Sequence, residues 1–294
     1  MTTARLDNRS LELGIEKLAQ LPAPLDKILS FARREESSAR HLAALCEAYP
    51  DLAARILALV NSPTLGCRQP VPMLLQAAVI LGINRIRNLA VGAHLVDNLP
   101  FSSEKLDPGR FFRHSFAVAA IARAIGQAGR SKTAEDMYLA GLLHDVGMVI
   151  LLEAFPEEYP PILNRGRSGD APLEEGERAS FGMTHADVAS ELALRWALDG
   201  RIIAAIKGHH QEFLGVSGGT DADARETADA LILAEMVCRH HGWGLVRARS
   251  PFPEGAFVPE RIPAFRETIL EKFEAMVQVS EETRRLIMIL RKSG

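Results

Sequence analysis

The 294-residue chain has only three cysteines, Cys46, Cys67 and Cys238. They are odd in number, far apart and never in a CxxC pair. That argues against a disulfide framework and favours reduced core thiols in a cytoplasmic protein. Charge of one sign is also lacking. The formal net charge is −3, so no global basic field draws the chain onto nucleic acid or an anionic membrane. The opening residues MTTARLDNRS contain no apolar segment of the kind a signal peptide needs. The longest apolar run, near Leu139–Leu152, is interrupted by His144 and Asp145, which argues against a membrane span. Repeats, low-complexity tracts and alternating strand patterns are absent.

Helical periodicity is present almost throughout. With 47% hydrophobic and 24% charged residues, the composition is that of an ordinary globular chain. Leu25, Ile28, Leu29 and Ala32 follow the i, i+3, i+4, i+7 rule. Asp51 is placed to cap a helix through Ile56 and Leu59 that stops near Asn61. Pro72–Leu81 has proline early and Gly82 just past its end, and a further helix runs through Ile86, Leu89 and Leu95. Val118, Ile121 and Ile125 share a face. Thr133-Ala-Glu-Asp136 reads as a capping sequence before a helix over Met137–Leu152, and Thr184-His-Ala-Asp187 repeats that logic. Asp199 is placed to cap Ile202–His210, and Ala224–His240 is helical again. A Pro-rich turn at Ser250–Pro259 precedes two terminal helices, the last capped by Ser280.

The expected architecture is therefore all-α. Residues 1–17 form an N-terminal extension, 18–105 a first helical subdomain, 106–245 a second helical bundle on which the first packs, and 246–294 C-terminal helices. The polar, proline-bearing stretch Pro100–Gly109 reads as the connection between the two bundles.

Several polar residues sit where helices should be apolar. His114 lies four residues before Val118 and seven before Ile121, and so faces the core. His144 and Asp145 interrupt an otherwise apolar helix. A carboxylate there needs a partner, since burying an unpaired charge costs several kcal/mol or forces protonation. A cation is one solution; a histidine or arginine is another. His185, His209, His210 and Glu235 (inside the apolar stretch Ala230–Val237) complete the set. Adjacent helical residues diverge by about 100°, so His209 and His210 are expected to serve two neighbouring ions, with Asp145 bridging. Imidazole with carboxylate suits Fe, Mn, Zn or Ni better than Mg or Ca. Taken singly, each residue has an ordinary reading: His114 as a satisfied core histidine, the His209-His210 pair as a response to a helix C-terminus, Glu235 as a surface acid. Five histidines and two acids on separate helices of one bundle favour convergence.

The order His114, His144-Asp145, His185, His209-His210 and then Glu235 resembles the HD superfamily of metal-dependent phosphohydrolases, and its layout looks like the HD-GYP phosphodiesterases of cyclic di-GMP. The first half resembles the HDOD (HD-related output domain) family through Leu21-Pro-Ala-Pro-Leu25, Pro50-Asp-Leu-Ala-Ala-Arg-Ile-Leu57, Val60-Asn-Ser62, Gln76-Ala-Ala-Val-Ile-Leu-Gly82 and Arg87-Asn-Leu89. Ala140-Gly-Leu-Leu-His-Asp-Val-Gly147, Phe181-Gly-Met-Thr-His185 and Ile206-Lys-Gly-His-His210 continue the match. The HDOD resemblance implies a bacterial signalling or regulatory output module that works with a protein partner or a nucleotide ligand, holds one or two metal ions and hydrolyses little or nothing. A metal-dependent phosphohydrolase or cyclic-nucleotide phosphodiesterase, with Asp145 as its central catalytic residue, is the alternative. Three departures from the active enzymes bear on that choice. Met148 stands where they carry a phosphate-binding lysine, no GYP segment follows His210, and Arg110 stands where an acidic ligand is often found four residues before the first histidine.

Overall fold

A computed structural model describes residues 8–32, 38–61, 69–101, 105–210, 222–240 and 242–245. Fourteen helices and no strands occur among the described residues, so the fold is all-α. The described residues divide into two compact units: residues 20–99, and a second holding residues 8–19 with those from 100 to 245.

The first unit contains α2 (Ala23–Ala32), α3 (Ala39–Glu47), α4 (Pro50–Val60), α5 (Leu74–Leu81) and α6 (Ile83–Asn98). Leu25, Ile28 and Leu29 of α2 are buried at the expected spacing. Asp51 does not cap α4. The helix starts one residue earlier at Pro50, whose fixed φ and missing N–H suit the first helical position, and Asp51 lies within the first turn. Similarly, α5 begins at Leu74, after Pro72. Gly82 (φ 85°) turns the chain sharply from α5 into α6. The Asn61 side chain donates to the Val71 carbonyl at 2.9 Å and accepts from the Val71 amide at 2.6 Å, clamping the end of α4 to the approach to α5. Cys46 is fully buried, and burial followed by the Glu47 charge pushes its thiol up to about 12, so it is an inert core residue. Cys67 lies outside the described residues.

The second unit contains α1 (Asn8–Ala19), α7 (Pro108–Ala128), α8 (Ala134–Leu143), α9 (Val146–Ala154), α10 (Tyr159–Ser168), α11 (Leu173–Phe181), α12 (His185–Arg195), α13 (Gly200–Gly208) and α14 (Ala222–His240). Helix α1 buries Leu11, Ile15 and Leu18 and packs on α9 and α12. The Trp196 indole N–H donates to the Leu18 carbonyl at 3.3 Å. Gly141 lets α8 press against α7, where a Cβ would come within 2.7 Å of the Ala119 Cα. The helix expected over Met137–Leu152 is in fact two, α8 and α9, broken at His144-Asp145. The whole span Ala134–Ala154 is long and apolar enough to cross a membrane, yet 83% of its most apolar window is buried within the structure. The C-terminal helices expected beyond residue 245, with Ser280 as a cap, lie outside the described residues.

His94 on α6 is 9% exposed, and burial lowers its pKa from 6.5 to about 4. The unfolded chain therefore takes up this proton near pH 6.5, and the folded chain only near pH 4. The stability tied to the neutral imidazole is complete above pH 6.5 and is lost progressively as pH falls toward 4, amounting to at most about 3 kcal/mol. A His94→Gln variant should lose less stability than the parent between pH 7 and 4.5, measured as denaturant midpoints. Parallel midpoint curves would refute this.

Candidate metal centre

All seven residues singled out in the sequence come together inside the second unit. His114 comes from α7, His144 and Asp145 from the break between α8 and α9, His185 from the first position of α12, His209 and His210 from the end of α13, and Glu235 from α14. The break at 144–145 lets two consecutive side chains aim at one place, with His144 Nε2 at 3.2 Å from Asp145 Oδ2. His185 is placed by a full capping box between Thr184 and Asp187. Gly147 makes room for it, since a Cβ on that residue would lie 2.0 Å from the His185 carbonyl oxygen.

The donors form two groups that share Asp145. One is His114, His144, Asp145 and Glu235; the other is Asp145, His185, His209 and His210; within each, the donor atoms lie within 4.8 Å of one another. Metal bonds of about 2.0–2.2 Å place donors around one ion about 3–4.4 Å apart, and the donors of both groups lie close to that spacing. Asp145 divides its oxygens. Oδ2 faces His114 and His144 at 3.3 and 3.2 Å, while Oδ1 faces His185 and His209 at 3.4 and 3.6 Å. The expectation that His209 and His210 would serve different ions is corrected. Helix α13 ends at Gly208, so the pair lies in the turn after it rather than on a regular helix. Their rings sit 3.9 Å apart, in the same group.

The imidazoles share one orientation. Nδ1 of His114, His144 and His209 faces the carbonyls of Trp243, Gly141 and Ile206 at 3.0, 2.8 and 2.6 Å. Nδ1 of His185 faces the Glu177 carboxylate at 2.7 and 2.9 Å, and that of His210 faces Glu174. Carbonyls and carboxylates only accept, so these partners assign the hydrogen of each neutral ring to Nδ1 and leave an Nε2 lone pair pointing inward. His114 and His144 then oppose lone pairs at 3.2 Å, and His185 and His210 at 2.7 Å. His209 Nε2 is buried without a hydrogen-bond partner. Such an array is stable only with protons or a metal ion between the nitrogens.

The electrostatics show the proton alternative. Burial alone would lower every one of these histidines. For His114, Glu235 and then Asp145 outweigh it and raise the pKa well above 6.5; for His144, Asp145 and Glu235 raise it to about 9; for His185, Glu177 and Asp145 do so. Asp145 and Glu235 are held well below the usual carboxylate range, because the neighbouring histidines overcome their burial. His209 is lowered by burial and then by the charges on His144 and His185, and His210 falls to about 3 chiefly through burial among its histidine neighbours. The protein thus balances its buried carboxylates with imidazolium in the first group and on His185, and keeps His209 and His210 as neutral ligands.

The outer partners were not anticipated from the sequence. Glu177 is fully buried and accepts from the His185 backbone amide (2.9 Å), from its Nδ1 and from the Tyr159 hydroxyl (2.6 Å). Its position between Leu173 and Phe181, at i, i+4 and i+8, is an available signal: an acid on the buried stripe of a helix. Arg239 holds Glu235 Oε2 at 3.0 Å, leaving Oε1 to face His114 and His144 at 2.7 and 2.8 Å. Arg110 is not a ligand and donates to the Gly244 carbonyl at 2.9 Å. Met148 is 1% exposed and packs in the core.

This fold and donor set define an HD-type helical domain. The HDOD domain family model matches residues 18–212, and the chain belongs to that family. An uncharacterised protein of Treponema pallidum (strain Nichols) is 26% identical over 198 residues, 67% of this chain and 38% of that protein. The chain therefore spans well under half the length of that relative. An HDOD domain protein of unknown function from Geobacter sulfurreducens superposes with a TM-score of 0.74 at 21% identity, covering 95% of this chain and 98% of that one. A protein of Marinobacter aquaeolei VT8 provisionally named for signal transduction gives 0.74 at 20% identity, covering 97% and 67%. A protein of Shewanella amazonensis SB2B provisionally named a phosphohydrolase gives 0.69 at 18% identity, covering 96% and 98%. These identities establish the shared fold alone.

Two substitutions test the geometry. Glu177→Gln preserves shape but removes the charge behind His185, and should weaken metal affinity about 10- to 100-fold, read by competition with a chelating dye. An unchanged affinity would exclude a supporting role for Glu177. Gly147→Ala forces α9 from α12 and should cost about 3 kcal/mol or more in urea unfolding. A loss below about 1 kcal/mol would show that the crossing tolerates a methyl group.

Proposed function

We propose that the chain is a signal-transduction or regulatory protein whose HDOD unit holds one or two divalent transition-metal ions and acts by binding a protein partner or a nucleotide-like ligand, with little or no hydrolysis. The observation that carries the metal is the common orientation of five imidazoles, each with Nδ1 engaged outward and Nε2 turned toward a shared carboxylate. Fe, Mn, Zn or Ni suits such donors. A bound metal of this kind polarises an oxygen ligand as a Lewis acid. The protein's own residues orient and enclose: Glu177 fixes His185, Arg239 fixes Glu235, and the apolar packing of α8 and α9 excludes water from Asp145.

Two features support binding over turnover. Met148 is buried where a phosphate-binding lysine stands in the enzymes that the motif order resembles. The donors are closed in: side-chain exposure is at most 8% for His114, His144, Asp145, His185, His209 and Glu235, and reaches only 16% at His210. Approach past His210 meets the acid Glu174, which opposes an anionic ester. The second reading, a metal-dependent phosphohydrolase or phosphodiesterase, has one observation in its favour: both donor groups are complete and share a carboxylate. The provisional names of the Marinobacter and Shewanella proteins point to these same two readings.

Metal analysis of protein purified without chelator, followed by a phosphodiesterase assay with Mn or Fe supplied, separates them. We expect bound metal and no turnover. Chelation should lower Tm by about 5–10 °C, the effect of losing a ligand that stabilises the native state by about 2.7 kcal/mol. Turnover that Asp145→Ala abolishes would establish the hydrolase instead. Metal-free protein with an unchanged melting curve would refute the metal centre.

A further inference from the structure

The two donor groups are held from behind in different ways. In the first, His114 and His144 turn Nδ1 to main-chain carbonyls, those of Trp243 and Gly141, at 3.0 and 2.8 Å. In the second, His209 does the same at Ile206, but His185 and His210 turn Nδ1 to carboxylates. Both carboxylates belong to α11. Glu174 and Glu177 stand three residues apart, so one face of that helix carries both toward the second group.

Helix α11 is braced to keep them there. Leu173, Glu177 and Phe181 form its buried stripe, and its other residues are wholly or partly open to solvent. Phe181 stacks on Phe155 with ring centroids 4.6 Å apart. Gly176 lets α11 lie against α10, where a Cβ would come within 2.7 Å of Ile162 Cγ2. The Tyr159 hydroxyl, from α10, donates to Glu177 Oε1 at 2.6 Å, and the His185 amide donates to Oε2 at 2.9 Å. His185 Nδ1 lies 2.9 and 2.7 Å from those same oxygens. The carboxylate cannot turn from the ring without breaking its other two bonds.

A carboxylate behind an imidazole accepts a charge-assisted hydrogen bond and makes the opposite nitrogen a stronger electron donor than a carbonyl does. The second position therefore depends on α11 as well as on its direct donors. Moving α11 would withdraw two negative charges from His185 and His210 together. It would leave His114, His144 and Glu235 with their own tethers at Trp243, Gly141 and Arg239.

We infer that α11 sets the occupancy of the second metal position independently of the first, with Glu174 and Glu177 as its positioning residues. The inference rests on the metal reading given above and adds how one of two ions is controlled.

The test is Zn titration of the metal-stripped full chain against a chelating dye, with the fold checked by circular dichroism on the same preparations. The parent should take up two ions with two resolvable constants. Glu174→Gln and Glu177→Gln keep an accepting oxygen but lose the charge. Each should weaken one constant about tenfold or more and leave the other within about twofold. Glu235→Gln, in the first group, should weaken the other constant, so the Glu174→Gln/Glu235→Gln double variant weakens both. A general loosening of the bundle would instead lower both constants in every single variant. If the buried Glu177→Gln fails to fold, Glu174→Gln, at the more open edge, decides by the same criterion. Both constants falling together in the Glu174 and Glu177 variants, neither falling, or a parent that takes up a single ion would overturn this inference alone. A chain that binds no Zn refutes the metal centre itself, and this inference with it.

Discussion

Asp145 is a carboxylate almost wholly withdrawn from water, with imidazole nitrogens of four histidines 3.2–3.6 Å from its two oxygens. A buried carboxylate without compensation costs several kcal/mol. It persists here because α7, the break after α8, α12 and the end of α13 each contribute an imidazole that faces it. The site is therefore not an addition to a finished fold. Without positive charge at its centre, whether metal or imidazolium, the bundle would bury a net negative group between α7, α9, α12 and α14. Metal ions and protons compete for the same Nε2 lone pairs. Losing metal need not leave the cluster uncompensated, because His114, His144 and His185 are each poised to take a proton.

The outer partners make that competition orderly. A lone imidazole in a core can turn its ring or change tautomer. Here five rings are each tethered through Nδ1, three to main-chain carbonyls and two to carboxylates, so five Nε2 atoms are committed inward before any ligand arrives. The main-chain tethers of His144 and His209 reach back three residues, to Gly141 and Ile206, where a helix is ending and its last carbonyls lack helical partners. The ends of α8 and α13 thus satisfy their own backbone while aiming a ligand. The helix break at 144–145 and the early stop of α13 at Gly208 serve one geometric purpose.

Much of this was legible in the sequence, for a physical reason. A histidine or acid at an apolar position of a helical repeat is visible because periodicity fixes which face is buried; His114, Asp145 and Glu235 stand out in that way. What stayed hidden depended on departures from regularity or on sparse signals. Nothing at residues 143–146 announces a break, since no proline or glycine stands there, and the turn follows from tertiary demands on His144 and Asp145. At His209 and His210 a signal was present in Gly208 just before them, and their expected divergence assumes a helix that has already ended. Glu177 was missed because α11 is mostly polar and buries only Leu173, Glu177 and Phe181. A stripe that narrow, with a carboxylate at its centre, reads as surface until His185 is seen to face it.

The question of binding against catalysis turns on what surrounds the donors, since the donors alone would serve either. A phosphoryl group must reach an open coordination position with its charge offset. Along the His210 edge it meets Glu174, whose carboxyl His210 holds down at about 2 despite burial, so a negative charge is present at any physiological pH. Positive charge is found instead on α7, where Arg110 takes the place of an acidic ligand. Exchanging an acid for an arginine one turn before His114 reverses the charge of that edge: it removes a candidate donor for a metal and adds a donor for an anion. The Tyr159 hydroxyl, the Glu177 carboxylate and His185 Nδ1 form a hydrogen-bonded chain that ties α10 and α11 to the centre.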